Sequence, residues 1–246
     1  MKFYSTLHIG AFHLNHCEDF LIYEQIGTNE SLIAVMDGCT MGNESVFASV
    51  LLGKILRNLS KKMFYQEFIA PQEGTIEVKL KEVLKLLISE TKAIKNQLGL
   101  EKNDLLSTLI IGVIDTNNAK AELLTIGDGL ICVDGVLTEY DQGNIPDYLA
   151  YHLSEDFDSW YDSIEQRKSI SQFRDLSICT DGIFTFKNFE NKYKEKAQSE
   201  IINYLLIDRE WEEFNNFLDR KVRCLKDNDK HHVTDDLAIV RVLNKK

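Results

Sequence analysis

Three stretches of the chain end alike. Ser31–Gly38 reads SLIAVMDG, Glu122–Gly129 reads ELLTIGDG and Asp175–Gly182 reads DLSICTDG. Each is an apolar run of strand character that stops at an Asp-Gly pair. A fourth segment, Val233–Leu243 (VTDDLAIVRVL), opens on two aspartates and then turns apolar. An unpartnered carboxylate is costly to desolvate, so aspartates repeated at strand ends suggest a cation that gathers them. The candidates are Glu18 and Asp19, Asp37, Asp128, Asp181, and Asp235 with Asp236. Oxygen donors alone select hard ions, Mg²⁺ or Mn²⁺, over zinc. A glycine after the aspartate lets the backbone turn sharply and brings a carbonyl close to a metal. A pair of such ions activates water and polarises a phosphoryl oxygen. Not every Asp-Gly pair needs an ion. Asp134-Gly135 reads as a two-residue hairpin turn, and Asp128-Gly129 reads equally as a turn or a ligand. Asp37-Gly38 and Asp181-Gly182 precede loop or helix character, which sets them apart from plain hairpins.

The elements that must position these groups follow from periodicity. Residues 3–14 and 20–26 read as short strands around a polar segment, and the strand ending at Met36 comes next. Phe47, Val50, Leu51, Ile55 and Leu59 recur at helical spacing, predicting a helix over about 44–60. Pro71 and Gly74 interrupt the pattern. A second amphipathic stripe predicts a helix over 76–97, closed by Gly99; its lysines, from Lys79 to Lys95, form a solvated face. Strands at 105–114, 119–126, 130–133 and 136–139 read as an antiparallel meander. Residues 140–174 read as a long loop or flap with some helix, in the range where loops are commonly functional. A strand at 176–180, two helices within 188–226 and a last strand at 237–243 complete the order. Mostly antiparallel strands with grouped helices imply an α+β class and one domain over residues 1–246.

Composition narrows the function. Apolar residues make up 44% of the 246, ample for a packed core, and no stretch approaches membrane-spanning length. The five cysteines form no CxxC pair and no secretion signal precedes them, so reduced thiols in the cytoplasm are expected. A net charge of −11 argues against a nucleic-acid partner. It leaves an anionic small group open as substrate, because bound divalent ions reverse the local sign. No membrane partner is expected.

Taken in order, Glu18-Asp19, VMDG with GNESVFAS behind it, STLIIGVID, LLTIGDGLICVDG, LSICTDGIF and TDDLAIVRV resemble the metal-dependent serine/threonine protein phosphatases of the PPM (type 2C) family, in its bacterial form. The likeness runs from about residue 8 to residue 243. It implies a four-layer α-β-β-α sandwich of two antiparallel sheets flanked by helix pairs. It also implies hydrolysis of phosphoserine and phosphothreonine in proteins by a metal-activated water, with two ions of Mg²⁺ or Mn²⁺ and room for a third. By resemblance, Asp37 bridges the two ions, the Gly38 carbonyl reaches one of them, and Asp181 and Asp235 are the remaining direct carboxylates. Glu18 acts through water with Asp19 as its neighbour, and Asp128 joins Asp181 around the third ion. Asp236, where many members have Asn, supports its neighbour; Ser107 and Thr108 are structural. A monomer acting on a phosphorylated protein, set against a partner kinase, is the implied setting.

Two positions depart from the family pattern. Many members carry a phosphate-gripping Arg four residues before the early Glu; here the position is Leu14, and a bidentate, charge-assisted contact is lost. His13 or His16 stands near enough in sequence to substitute. Eukaryotic members follow the first Asp-Gly with a His; here it is Cys39, a position where a small apolar side chain packs by default. His231 and His232 precede the Asp pair, either approaching phosphate or lying in a solvated loop. Trp160 and Trp211 read as packing anchors. The missing Arg also supports a second class of function, a pseudophosphatase that keeps the fold as a phosphate- or protein-binding regulatory module.

Overall fold

The structure, a computed structural model, describes residues 1–42, 45–69, 74–143, 146–190 and 195–244. Asn43, Glu44 and Pro71, which the sequence reading drew upon, lie outside the described residues.

Two five-stranded antiparallel sheets stack face to face. One has the order β1 (Lys2–His8), β12 (Leu237–Leu243), β9 (Asp175–Cys179), β6 (Gly129–Val133), β7 (Val136–Tyr140). The other runs β2 (Phe20–Gly27), β3 (Glu30–Met36), β4 (Leu109–Asp115), β5 (Lys120–Ile126), β8 (Arg167–Ile170). Helices α1 (Ser45–Ile69) and α2 (Ile76–Leu98) cover the second sheet, and α4 (Gln198–Leu206) and α5 (Phe217–Asp227) cover the first. A short α3 (Phe157–Ser163) joins the layer of α1 and α2.

The central strands read as unbroken apolar runs because both of their faces are buried, and side chains alternate between them. In β3, Leu32, Ala34 and Met36 meet the helices while Ile33 and Val35 meet the other sheet. In β12, Leu237, Ile239 and Leu243 turn to α4 and α5, and Ala238, Val240 and Val242 enter the inter-sheet core. Arg241 breaks the apolar run on the helix side. It is fully buried, pairs with Asp175 through Nε (3.0 Å) and Nη2 (2.7 Å), and caps the carbonyls of Leu205 and Ile207 at the end of α4.

Several expectations are revised. The first strand stops at His8, so residues 9–19 form a loop. Helix α1 continues to Ile69, because buried Met63 carries its apolar stripe on past Leu59 and keeps it seated on the sheet. The expected meander is divided: β4–β5 belongs to one sheet and β6–β7 to the other, so the Gly127–Gly129 turn carries the chain between sheets. Asp134-Gly135 is the expected hairpin turn, both residues having positive φ (49° and 85°). Within 140–174 the chain forms α3 and then β8, which extends the second sheet by pairing with β5. A two-stranded ribbon of β10 (Phe186–Asn188) and β11 (His231–Val233), absent from the sequence reading, precedes the last strand.

Candidate active site

The strand ends that carry the aspartates meet at one rim of the sandwich. Asp37 follows β3, and its position is fixed by the backbone: Thr108 N–H donates to the Asp37 carbonyl (2.9 Å), Cys39 N–H to Leu106 (3.1 Å), and Gly38 bridges to buried Ser107. Gly38 N–H donates to the Glu18 carbonyl at 3.1 Å. A Cβ on Gly38 would stand 2.0 Å from the Ser45 carbonyl oxygen, so only glycine lets α1 begin this close to the site. Asp181 follows β9 and opens a single 3-10 turn, Asp181–Phe184. A Cβ on Gly182 would fall 1.8 Å from the Asp236 carbonyl oxygen, so this glycine brings the Asp181 and Asp235-Asp236 segments together.

Like Asp236, Asp19 is deeply buried, 2% exposed. Its Oδ2 accepts from Thr180 Oγ1 at 2.6 Å, and its Oδ1 has no hydrogen-bond donor. The carboxyl groups of Asp19 and Asp37 act on each other electrostatically. Asp37 keeps a partly open surface although protein atoms crowd it. Burial and then the neighbouring Asp19 and Asp181 charges push Asp37 well above the usual carboxylate range. Burial does the same to Asp19, the Thr180 hydroxyl opposing it. Asp181 is raised to about 6 by burial, then by Asp235 and Asp128. Asp128 is raised by burial while accepting from Gln142 N–H at 2.7 Å. Separate chain segments thus contribute acids that sense one another electrostatically.

The other acids are committed differently. Asp236 serves the backbone, accepting from Gly10 N–H (2.7 Å) and from Glu18 N–H, which ties the loop after β1 to the last strand. The Glu18 carboxylate turns toward the start of α1, accepting from Ser45 Oγ (2.6 Å) and Thr40 Oγ1 (3.0 Å), where a negative charge is favoured by the helix dipole. Asp235 Oδ1 accepts from Asp236 N–H at 2.8 Å and meets His13 Nε2 at 3.4 Å, while His13 Nδ1 lies 2.9 Å from Asp236. Burial opposes charge on His13, but Asp236, Asp235 and Glu18 override it and raise its pKa. His13 is therefore engaged with the Asp pair, and His16 is exposed. Leu14, in the position of the family's Arg, is 91% exposed. His231 corrects both of its expected settings: it is buried, its Nδ1–H donates to the Asp229 carbonyl (2.8 Å) and its Nε2 accepts from Lys196 N–H (2.9 Å). Cys39 packs against the core of α1 and α2, and Trp160 and Trp211 pack against the two helical layers.

The donor set fits a hard divalent ion in kind. It is all oxygen, mutually repulsive and holds one orphaned buried oxygen. Among the described residues no lysine or arginine pairs with Asp19, Asp37, Asp181 or Asp235. Among the same residues, no three His, Cys, Asp or Glu side chains surround one point at ligand distance. The carboxylates gather without closing into a finished coordination sphere.

No curated protein matches the chain in sequence. Solved structures share its fold at low identity. A point variant of a bacterial serine phosphatase is 13% identical with a TM-score of 0.61, covering 100% of this chain and 99% of its own. The SiaA-PP2C domain of Pseudomonas aeruginosa is 11% identical (TM-score 0.59, 99% and 86% covered). The serine/threonine phosphatase Stp1 of Staphylococcus aureus is 12% identical (TM-score 0.58, 100% and 96% covered). The sequence model of protein phosphatase 2C matches residues 10–238, from the loop that Asp236 ties down to the start of the last strand, and on that match the chain belongs to the protein phosphatase 2C family.

Proposed function

We propose that the chain, as a single domain over residues 1–246, hydrolyses phosphoserine and phosphothreonine in proteins with the help of Mg²⁺ or Mn²⁺. Fold alone does not fix chemistry; the observation that carries this reading is the crowd of buried and half-buried carboxylates around Asp37, which among the described residues no lysine or arginine pairs. Asp37, Asp181 and Asp235 would hold two ions, Gly38 would offer its carbonyl, and Asp128 with Asp181 would hold a third. Asp19 would keep its orphaned oxygen toward the same centre, and Glu18 would act from beside it. Bound there, the ions supply Lewis-acid activation of water and offset charge on the phosphoryl oxygens. The protein's own residues set the geometry. Thr180 orients Asp19, Asp236 anchors the loop that carries His13, and His13, whose pKa its acidic neighbours raise, stands against Asp235. None of the five cysteines is needed as a nucleophile, and all five are free, in keeping with action in the cytoplasm opposite a protein kinase.

A second reading, a pseudophosphatase that binds without turnover, is favoured by one observation: the phosphate-gripping position holds a solvent-exposed Leu14 and the adjacent His13 is already paired. Calorimetric titration with Mn²⁺, paired with hydrolysis of p-nitrophenyl phosphate and of a phosphothreonine peptide, separates the two. Metal binding with turnover is the expected result. Binding of peptide without turnover would establish the module instead.

A further inference from the structure

Beside the carboxylate rim lies an exposed aromatic cluster that the chemistry leaves unused. Phe12 (64% exposed) and Phe189 (51%) meet at a ring-centroid distance of 6.2 Å, and Phe189 meets His232 at 5.3 Å. Exposed aromatic rings forming one contiguous patch differ from scattered apolar residues and mark a contact surface. The cluster is built into the site. Ala11 N–H donates to the Val233 carbonyl (2.9 Å) and Phe12 N–H to the Thr234 carbonyl (3.0 Å), so the Phe12 loop lines up along the β10–β11 ribbon. Each segment then passes directly into the acidic centre, at His13 on one side and Asp235 on the other.

Basic side chains flank the cluster. Lys187 Nζ sits 5.7 Å over the Phe12 ring, and Lys226 and Lys230 both act on His232, which burial and these two lysines keep below its ordinary pKa. Asp227 and Glu190 are the acids acting on the same ring. Lys187 thus sets a cation directly against the Phe12 ring on a chain of net charge −11. An aromatic surface with a positive flank suits an apolar side chain accompanied by acidic groups.

We propose that Phe12, Phe189 and His232, flanked by Lys187, form the docking surface for the substrate segment itself. It would take an extended phosphorylated stretch with an aromatic or large aliphatic side chain within two or three residues of the phosphoresidue and acidic residues beyond. Phe12 adjoins His13, which meets Asp235 at 3.4 Å, so the patch borders the rim, and an extended chain, advancing about 3.3 Å per residue, would run from one to the other. This inference rests on the proposed phosphatase function and adds the class of sequence it selects.

The test uses the full chain with Mn²⁺ and two acidic phosphothreonine peptides that differ only in Phe or Ala two residues from the phosphothreonine. Burying the ring predicts a preference for the Phe peptide of about tenfold in kcat/KM. The double variant Phe12→Ala, Phe189→Ala should abolish that preference, and Lys187→Glu should weaken use of both acidic peptides relative to p-nitrophenyl phosphate. A thermal melt checks that each variant folds. No preference in the parent, or a preference that survives the double variant, overturns the docking surface. So does a double variant that converts a dimer to a monomer in sedimentation while keeping the preference, since the patch would then join two copies of this chain. If the parent hydrolyses none of the substrates, the phosphatase reading fails by itself. Anisotropy of the labelled peptides then decides the patch: about tenfold tighter binding of the Phe peptide, lost in the double variant, upholds it, and equal binding sinks it.

Discussion

At the scale of single residues, the Asp181 carboxyl group is raised to about 6 by burial and by Asp235 and Asp128. Its charge is a cost to the ion-free protein and, in the proposed metal centre, would be an asset once a divalent ion is bound. Asp181→Asn should therefore leave the ion-free melting temperature equal or higher while reducing Mn²⁺-dependent hydrolysis of p-nitrophenyl phosphate about a hundredfold or more, since a lost metal ligand removes several kcal/mol of transition-state stabilisation. Retained turnover would overturn its place in the centre. Thr180 offers a second check. Its hydroxyl donates to Asp19 Oδ2 and accepts from Ala238 N–H at 2.9 Å, joining the buried acid to the last strand. Thr180→Val should cost about 1–3 kcal/mol, seen as a lower melting temperature, and should weaken Mn²⁺ binding by calorimetry. Unchanged affinity would show that Asp19 needs no such support. The acids themselves were legible in the sequence because a charged residue closing an apolar run is conspicuous. Their division of labour was not. Asp235 and Asp236 are neighbours of one type, and only the distant Gly10 and Glu18 amides show that Asp236 serves the backbone. Glu18 likewise reads as an acid near metal, and the sequence does not show that its carboxylate accepts from the hydroxyls of Thr40 and Ser45.

At the scale of elements, legibility follows the length of the periodic signal. Helix α2, expected over 76–97, spans Ile76–Leu98, with Thr75 and Gly99 as its caps. The ribbon β10–β11 is invisible beforehand because strands of three residues carry no alternation to count, and its pairing, Lys187 with His232, spans a long stretch of chain. Segment 140–174 shows the same limit: an aromatic-rich flap is visible, but not that its residues close on a histidine held between two carboxylates. His152 stacks on Trp160 (4.8 Å between centroids), with Nε2 2.8 Å from Asp147 and Nδ1 3.0 Å from Glu155. Burial opposes its charge, and the two carboxylates overcome that and raise its pKa. A histidine whose folded pKa lies above the unfolded one contributes stability in full below the unfolded value, about 6.5, and loses it as pH rises through the folded value. His152→Phe keeps the stacking and removes the charge. The variant should melt lower than the parent at about pH 5.5, below that unfolded value, and the gap should narrow on the alkaline side of the folded pKa. A gap independent of pH would show that the ring matters only for packing.

At the scale of the whole molecule, the sandwich sets apolar layers and a charged rim against each other. The layers bury both faces of the central strands, while the rim they create forces acids from separate segments together. In the ion-free protein, Asp19, Asp37 and Asp181 all bind their protons more tightly than in the unfolded chain, where an aspartate titrates near 3.8. The folded state then holds more protons than the unfolded state between that value and, for Asp181, about 6. By linkage, stability from these groups is present at acid pH and is lost as pH rises through the folded values. A divalent ion that takes the place of those protons inverts the trend, because it binds the ionised carboxylates and leaves the unfolded chain alone. At about a hundredfold excess over its dissociation constant it adds about 2.7 kcal/mol, or roughly 5–10 °C in Tm for a chain of this size. Thermal melts at about pH 5 and about pH 8, either side of the Asp181 titration, with and without Mn²⁺ should show the larger shift at the higher pH, with Asp181→Asn reducing it there. Equal shifts at both pH values would mean that the ion binds somewhere other than the carboxylate rim, and a shift untouched by the variant would place it away from Asp181.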